Sequence, residues 1–213
     1  MDGAQHWPIG LSSDARLVSS LTLPEAQCRV RVLLPPLAAG VGLRWSEIAE
    51  QAGVALDGHI PLSDLLSALG REFDAWHPNG QVSSETVDRI LRAVLGETTS
   101  SAAKLVFWGV YDEGSKWASL GATGLPILSN GSRWNDGAHL ISEVVDVRVL
   151  RDFVIERRAR FPVAVLPAAR DYLIATTGYG DSLYVSGSTD LCAALETEGL
   201  ECIEVSQGGL LPM

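Results

Sequence analysis

Between Arg170 and Val205 the residues alternate in a way that leaves few folds open. Tyr172 to Thr176 and Leu183 to Val185 are rich in β-branched and aromatic residues. Between them lies Thr177-Gly178-Tyr179-Gly180-Asp181, which supplies turn-favouring residues. Two such runs around a Gly/Asp turn read as a β-hairpin. Ser186-Gly187-Ser188-Thr189-Asp190 then ends the strand. Ser188 or Thr189 is placed to cap a helix, because a side-chain oxygen accepts from the free N–H groups of a first helical turn. Leu191, Ala194 and Leu195 recur at the spacing of one helix face, and Gly199 stands where a left-handed cap is expected. Leu200 to Val205 alternates apolar and acidic, as a last strand with one wet face does. The stretch therefore predicts strand, turn, strand, helix, strand.

The rest of the chain adds matching elements. Residues 1–24 read as a surface segment carrying Trp7. Gln27 to Leu34 alternates as a strand that Pro35-Pro36 ends, since proline cannot donate to a ladder. Ala38 to Arg44 reads as a Gly-rich connection. Trp45, Ile48 and Ala49 suggest a short amphipathic helix packed on a sheet. Pro61 to Gly70 reads as a second helix, with Pro near its start and Gly at its end. After a loop over Arg71–Gln81, Ser83 or Ser84 caps a third helix, on which Val87, Ile90, Leu91, Val94 and Leu95 share one face and Gly96 ends the pattern. Lys104 to Tyr111 is the strongest strand, apolar almost throughout, as for a strand covered on both faces. Trp117 to Leu120 suggests an antiparallel return. Residues 121–138 form a long Gly/Ser/Asn/Pro loop, a kind often functional. Leu140 to Ile155 is β-branched and suggests one or two strands, with a helix as the alternative.

The chain has 213 residues, enough for one sizeable domain, and its charged content of 20% is that of an ordinary globular protein. We expect a single α+β domain over residues 1–213, a mostly antiparallel sheet with three or four short helices. No apolar run reaches the ~18–20 residues that cross a bilayer. The N-terminal residues lack a basic segment followed by an apolar core, so no leader peptide is expected. Three cysteines (Cys28, Cys192, Cys202), an odd count without close pairs, argue for reduced thiols and a cytoplasmic location rather than a disulfide framework or zinc site.

The formal charge is −10 and the isoelectric point about 4.8. Such a balance repels phosphate backbones and anionic membranes and favours basic partners. The segment from Arg44 to Val54 has the outline of the first helix of a helix-turn-helix. Residues 41–100, however, hold only Arg44, Arg71, Arg89 and Arg92 against nine acidic side chains, where a DNA-binding module shows a basic stripe. Nucleic acid is thereby excluded as an expected partner, as is a membrane.

Catalytic signatures are missing. Ser182 lies in a hairpin rather than a nucleophile elbow, and no phosphate-binding glycine loop follows a strand. His6, His59, His77 and His139 show no ligand spacing, so no metal and no cofactor are expected. Loop tryptophans, Trp76 and Trp134 above all, are candidate anchors for a partner. Arg157 and Arg158 in the one basic cluster, with Arg170, are candidates for gripping an anion, against the plainer reading of a solvated turn.

The C-terminal pattern of Pro167, Arg170, Tyr172, Tyr184, Val185, Gly187, Ser188 and Leu200-Glu201 resembles a family of uncharacterised actinobacterial proteins. Arg44 to Ala49 and Phe107 to Val110 resemble the same family. Members of that family more often have Trp at the position of Tyr172 and Gly at that of Ser186. The resemblance supports the fold and implies no chemistry. Two functional classes follow. The first is a non-catalytic interaction protein of the immunity or regulatory type, holding a basic protein partner on an acidic surface. The alternative is a small-molecule binder or enzyme acting on an anionic ligand.

Overall fold

A computed structural model of the chain describes residues 17–38, 41–42, 44–70, 82–108, 119–121, 123–124, 139–156, 160–177 and 180–212. Trp76, Trp134, Arg157, Arg158 and most of the 121–138 loop lie outside these residues, as does the expected strand over Trp117–Leu120 for all but its last two positions.

The alternating segments form strands and the periodic ones form helices. In chain order these are β1 (Cys28–Leu33), β2 (Leu37–Ala38), β3 (Val41–Gly42), α1 (Trp45–Ala52), α2 (Leu62–Ala68), α3 (Ser84–Glu97), β4 (Ala102–Trp108), β5 (Thr123–Gly124), β6 (His139–Ile141), β7 (Val145–Asp146), α4 (Val149–Arg151), β8 (Ala164–Pro167), β9 (Leu173–Ala175), β10 (Ser182–Gly187), α5 (Thr189–Thr197) and β11 (Cys202–Glu204). One antiparallel sheet runs β11-β1-β10-β9-β8-β4-β6-β5, with β7 beside β6 along the same edge of β4. The architecture is the α+β single domain that the sequence predicts.

Burial on both faces decides where the helices go. Val30, Val32, Leu105, Phe107, Val165, Ile174, Leu183 and Val185 point to one face and meet α3, α4 and α5. Their neighbours Val106, Ala164, Leu166, Leu173, Ala175 and Tyr184 point to the other, under Val18, Leu21, Leu23, Val205 and Leu211. The two chain ends are stitched there, Val18 N–H donating to Gly209 O at 2.8 Å and Ser19 N–H to Gln207 O at 3.1 Å. Toward β11 the same face carries α1 and α2, whose Trp45, Ile48, Leu62, Leu65 and Leu66 pack on Leu33 and Ile203. The amphipathic reading of Trp45 and Ile48 therefore holds.

Local signals account for the element ends. Ser83 Oγ accepts from Thr86 N and Ser188 Oγ from Leu191 N, each at 3.1 Å, and Gly199 takes φ +78°. Between β6 and β7 the ladder to β4 is kept by a side chain. Ser142 N–H donates to Leu105 O, and Ser142 Oγ accepts from Leu105 N–H, both at 2.9 Å.

Three local expectations change. The Ala38–Arg44 connection contains the small β2–β3 pair. The β-branched run from Val144 ends as a strand at Asp146 and then turns helical, continuing past α4 as a π-turn over Asp152–Glu156, because Leu150, Phe153 and Val154 share one helical face and are buried. Cys28 and Cys192 are not free thiols: they are disulfide-bonded, tying β1 to the first turn of α5 with their Cα atoms 6.5 Å apart. Only Cys202 is unpaired.

At Gly187, where β10 hands over to α5, a Cβ would lie 2.9 Å from Leu191 Cδ2 and 3.1 Å from Asp171 O. Gly187→Ala should therefore lower stability by about 1–3 kcal/mol, the usual effect of overpacking. Urea denaturation reads this directly, and a loss within error would show that the junction yields freely.

Candidate functional site

A single strand residue organises the α1–α2 side of the molecule. The alternation of β1 puts Val30 and Val32 on the α3–α5 face and Arg31 on the opposite one, where it is fully buried. A buried guanidinium requires acceptors for its fork of donors. Arg31 Nε donates to Ser182 Oγ at 2.8 Å, Nη1 to Ile60 O at 2.7 Å and Gly58 O at 3.2 Å, and Nη2 to Asp181 Oδ1 at 3.1 Å. Its Cζ lies 5.0 Å from the ring centroid of Trp45, a cation–π geometry. Asp181 in turn accepts from Leu62 N, the first residue of α2, at 2.9 Å and from Ser182 Oγ at 2.7 Å. Trp45 Nε1 donates to Leu34 O at 2.8 Å. The guanidinium at the centre of this knot is closed off from solvent, and the knot holds α1 and α2 on the sheet.

The start of α1 is fixed from the other end of the chain. The carboxylate of Glu201 accepts from Trp45 N at 2.8 Å and from Ser46 N at 2.7 Å, filling two of the donors that a helix N-terminus leaves open. Arg44-Trp45-Ser46 and Leu200-Glu201, both part of the family-like pattern, are thus hydrogen-bonded neighbours.

So anchored, α1 and α2 turn carboxylates outward. Glu47, Glu50, Asp57 and Asp64 are exposed on this side, and Glu204 is exposed on β11. On the opposite face α5 exposes Asp190 and Glu196, and α3 exposes Glu97. Five of the described arginines are paired within the chain. Arg31, Arg89, Arg92, Arg148 and Arg151 are paired with Asp181, Glu85, Glu198, Asp146 and Asp88 respectively. Among the described residues Glu50, Asp64, Glu97, Asp190, Glu196 and Glu204 meet no Lys or Arg at ion-pair distance.

A shallow groove of about 490 Å³ runs between α3 and α5. Ala93, Gly96, Ala193, Ala194 and Thr197 line it with Arg92, Glu97, Asp190 and Glu198. Arg170 is not part of it. That residue stands exposed in the turn between β8 and β9, at φ 58°. The other predicted anion-binding residues, Arg157 and Arg158, and the tryptophan anchors Trp76 and Trp134 lie outside the described residues. Among the described residues no group of three or more His, Cys, Asp or Glu is placed to hold a metal, and no helix is long and apolar enough to cross a membrane.

The polar knot was not foreseen. Its one signal in the sequence is an arginine standing between two core valines in a strand.

Tyr172 is buried against the α3–α5 core, and its hydroxyl has no hydrogen-bond partner among the described residues. Burial, then the nearby Asp171 and Asp146, push this phenol well above its ordinary range, so it stays protonated. An aromatic ring suffices at this position. Tyr172→Phe should leave stability unchanged or raise it by up to about 1 kcal/mol, because it removes an unsatisfied hydroxyl. A loss of more than that in thermal or urea unfolding would reveal a bond at the hydroxyl.

No family model, no curated protein and no solved structure matches this chain.

Proposed function

We propose that this chain is a non-catalytic interaction protein of the immunity or regulatory type, which holds a basic protein partner against an acidic surface. One observation carries the reading. Among the described residues four surface arginines, Arg89, Arg92, Arg148 and Arg151, are paired within the chain, while carboxylates on α1, α2, α3, α5 and β11 meet no Lys or Arg at ion-pair distance. A field of this kind steers a positively charged partner toward the surface and repels phosphate backbones. The buried Arg31 knot contributes by fixing the two helices that carry Glu50 and Asp64. The proposed compartment is the cytoplasm, on the acidic balance. The Cys28–Cys192 bond weighs against it, since disulfides persist in oxidising compartments, and the redox state of that pair in cells decides the point. We further propose kinship with the actinobacterial family that the C-terminal pattern resembles.

The test is co-purification of the tagged chain from its native host at low salt, beside a variant carrying Glu50→Lys, Asp64→Lys and Glu204→Lys. The expected result is a stoichiometric basic protein that raised salt releases and the variant fails to retain. Recovery of no partner, or of the same partner by the variant, would remove the reading.

A further inference from the structure

Among the described residues the sheet ends at β11, and the hydrogen-bond phase of that strand shows which of its backbone groups turn away from β1. In an antiparallel pair successive residues turn their N–H and C=O groups alternately toward and away from the partner strand. Leu33 N–H donates to Glu201 O at 2.9 Å and Val205 N–H to Arg29 O at 3.0 Å, with Arg31 opposite Ile203 between them. Glu201, Ile203 and Val205 therefore face β1, and Cys202 and Glu204 direct their backbone groups outward. Among the described residues the backbone of neither residue makes a hydrogen bond, and no strand lies beyond β11 in the sheet.

We propose that this edge is a strand-addition site, taken by an extended basic segment of the protein partner, which would pair with the backbone of Cys202 and Glu204. The inference rests on the acidic-surface reading and specifies where and how the partner is held. Charge selects the occupant. Glu204 stands exposed on the strand itself. Glu196 on α5 and Glu201 at the strand's start are near enough to act on Cys202. Asp57 lies exposed beside Gly58, which packs on the other face of β11 close to its outer edge: a Cβ there would sit 2.8 Å from Val205 Cγ1 and 3.5 Å from Glu204 O. Pairing with Val30 sets Glu204 on the α5 side of the sheet, the side of Glu196, so an added strand with lysine or arginine at alternate positions meets these two carboxylates, and its main chain supplies the donors and acceptors. A second copy of this chain is disfavoured, because edge-to-edge pairing would bring Glu204 and its neighbours against like charges.

Amide hydrogen exchange tests this on the full chain with a short synthetic peptide alternating lysine and valine, and a control of equal charge alternating lysine and proline, which cannot donate to a ladder. In the free protein the amides of Cys202 and Glu204 should exchange much faster than that of Ile203. With the lysine–valine peptide those two should slow at least about tenfold, as new hydrogen bonds require, while the proline peptide leaves them unchanged. Glu204→Pro, which removes an outward donor without touching the β1 ladder, should abolish the protection. Binding of both peptides without protection at Cys202 and Glu204 would overturn strand addition and leave the acidic-surface reading standing. Failure of the lysine–valine peptide to bind would overturn strand addition as well, while the co-purification experiment decides the broader reading separately.

Discussion

Arg31→Met will lower the unfolding free energy by about 3–5 kcal/mol, the loss typical when one partner of a buried ion pair is removed. The residue is fully buried, and Asp181 beside it is only 16% exposed. Methionine fills the space of the side chain but removes the donor from four acceptors: Ser182 Oγ, Gly58 O, Ile60 O and Asp181 Oδ1, of which the last keeps only its bond from Ser182. It also removes the cation from the Trp45 ring. Lysine at this position keeps the charge yet cannot fork to Ser182, the two carbonyls and the carboxylate together, so Arg31→Lys should fall between Met and the native residue. Adding Asp181→Asn to Arg31→Met should recover part of the loss, because no uncompensated charge then remains buried. The carboxamide still accepts from Leu62 N, so α2 keeps its start. Urea unfolding of Arg31→Met, Asp181→Asn and the double variant gives the cycle. A loss below about 1 kcal/mol for Arg31→Met would mean that the knot is incidental to stability.

Breaking the Cys28–Cys192 bond is the second large effect. The two cysteines are separated by 164 residues, so the bond restricts most of the unfolded chain, and its loss should lower stability by about 2–5 kcal/mol. The double variant Cys28→Ser, Cys192→Ser should match native protein treated with reductant. Alkylation followed by mass spectrometry checks the pairing itself. Burial first, then Glu196 and Glu201, push the Cys202 thiol up to about 12, so it should react slowly in the folded state. Unfolding without reductant should expose Cys202 alone to the reagent, and reductant should add Cys28 and Cys192. Three labelled cysteines without reductant would show that the bond is absent.

What could be read from the chain beforehand follows the range of the interactions. Caps are local, so Ser83 and Ser188 announce α3 and α5, and Gly199 announces the end of α5. The hairpin of β9 and β10 is local too, since its turn residues stand between two β-branched runs. The near-continuous apolar character of Leu105, Val106 and Phe107 matches a strand that serves both cores. The acidic balance needs only a count. The knot does not reduce to any such window. Arg31 and Asp181 are 150 positions apart and meet only because β1 pairs with β10. Cys28 and Cys192 meet for a related reason, since Cys28 lies opposite Gly187 and α5 begins just beyond it. An odd cysteine count therefore pointed the wrong way. The open edge at β11 was hidden in the same sense: alternation identified the last strand, but which side of it stays unpaired depends on register with β1.

The most direct measurement of the central claim is zero-length carbodiimide cross-linking between the chain and its co-purified partner, mapped by mass spectrometry. The reagent joins a carboxylate to a lysine only where the two touch. The account predicts links from Glu50, Asp64 and Glu204 to lysines of the partner, lost when those three residues are changed to glutamine. Links confined to other carboxylates, or a complex that survives those changes intact, would contradict it.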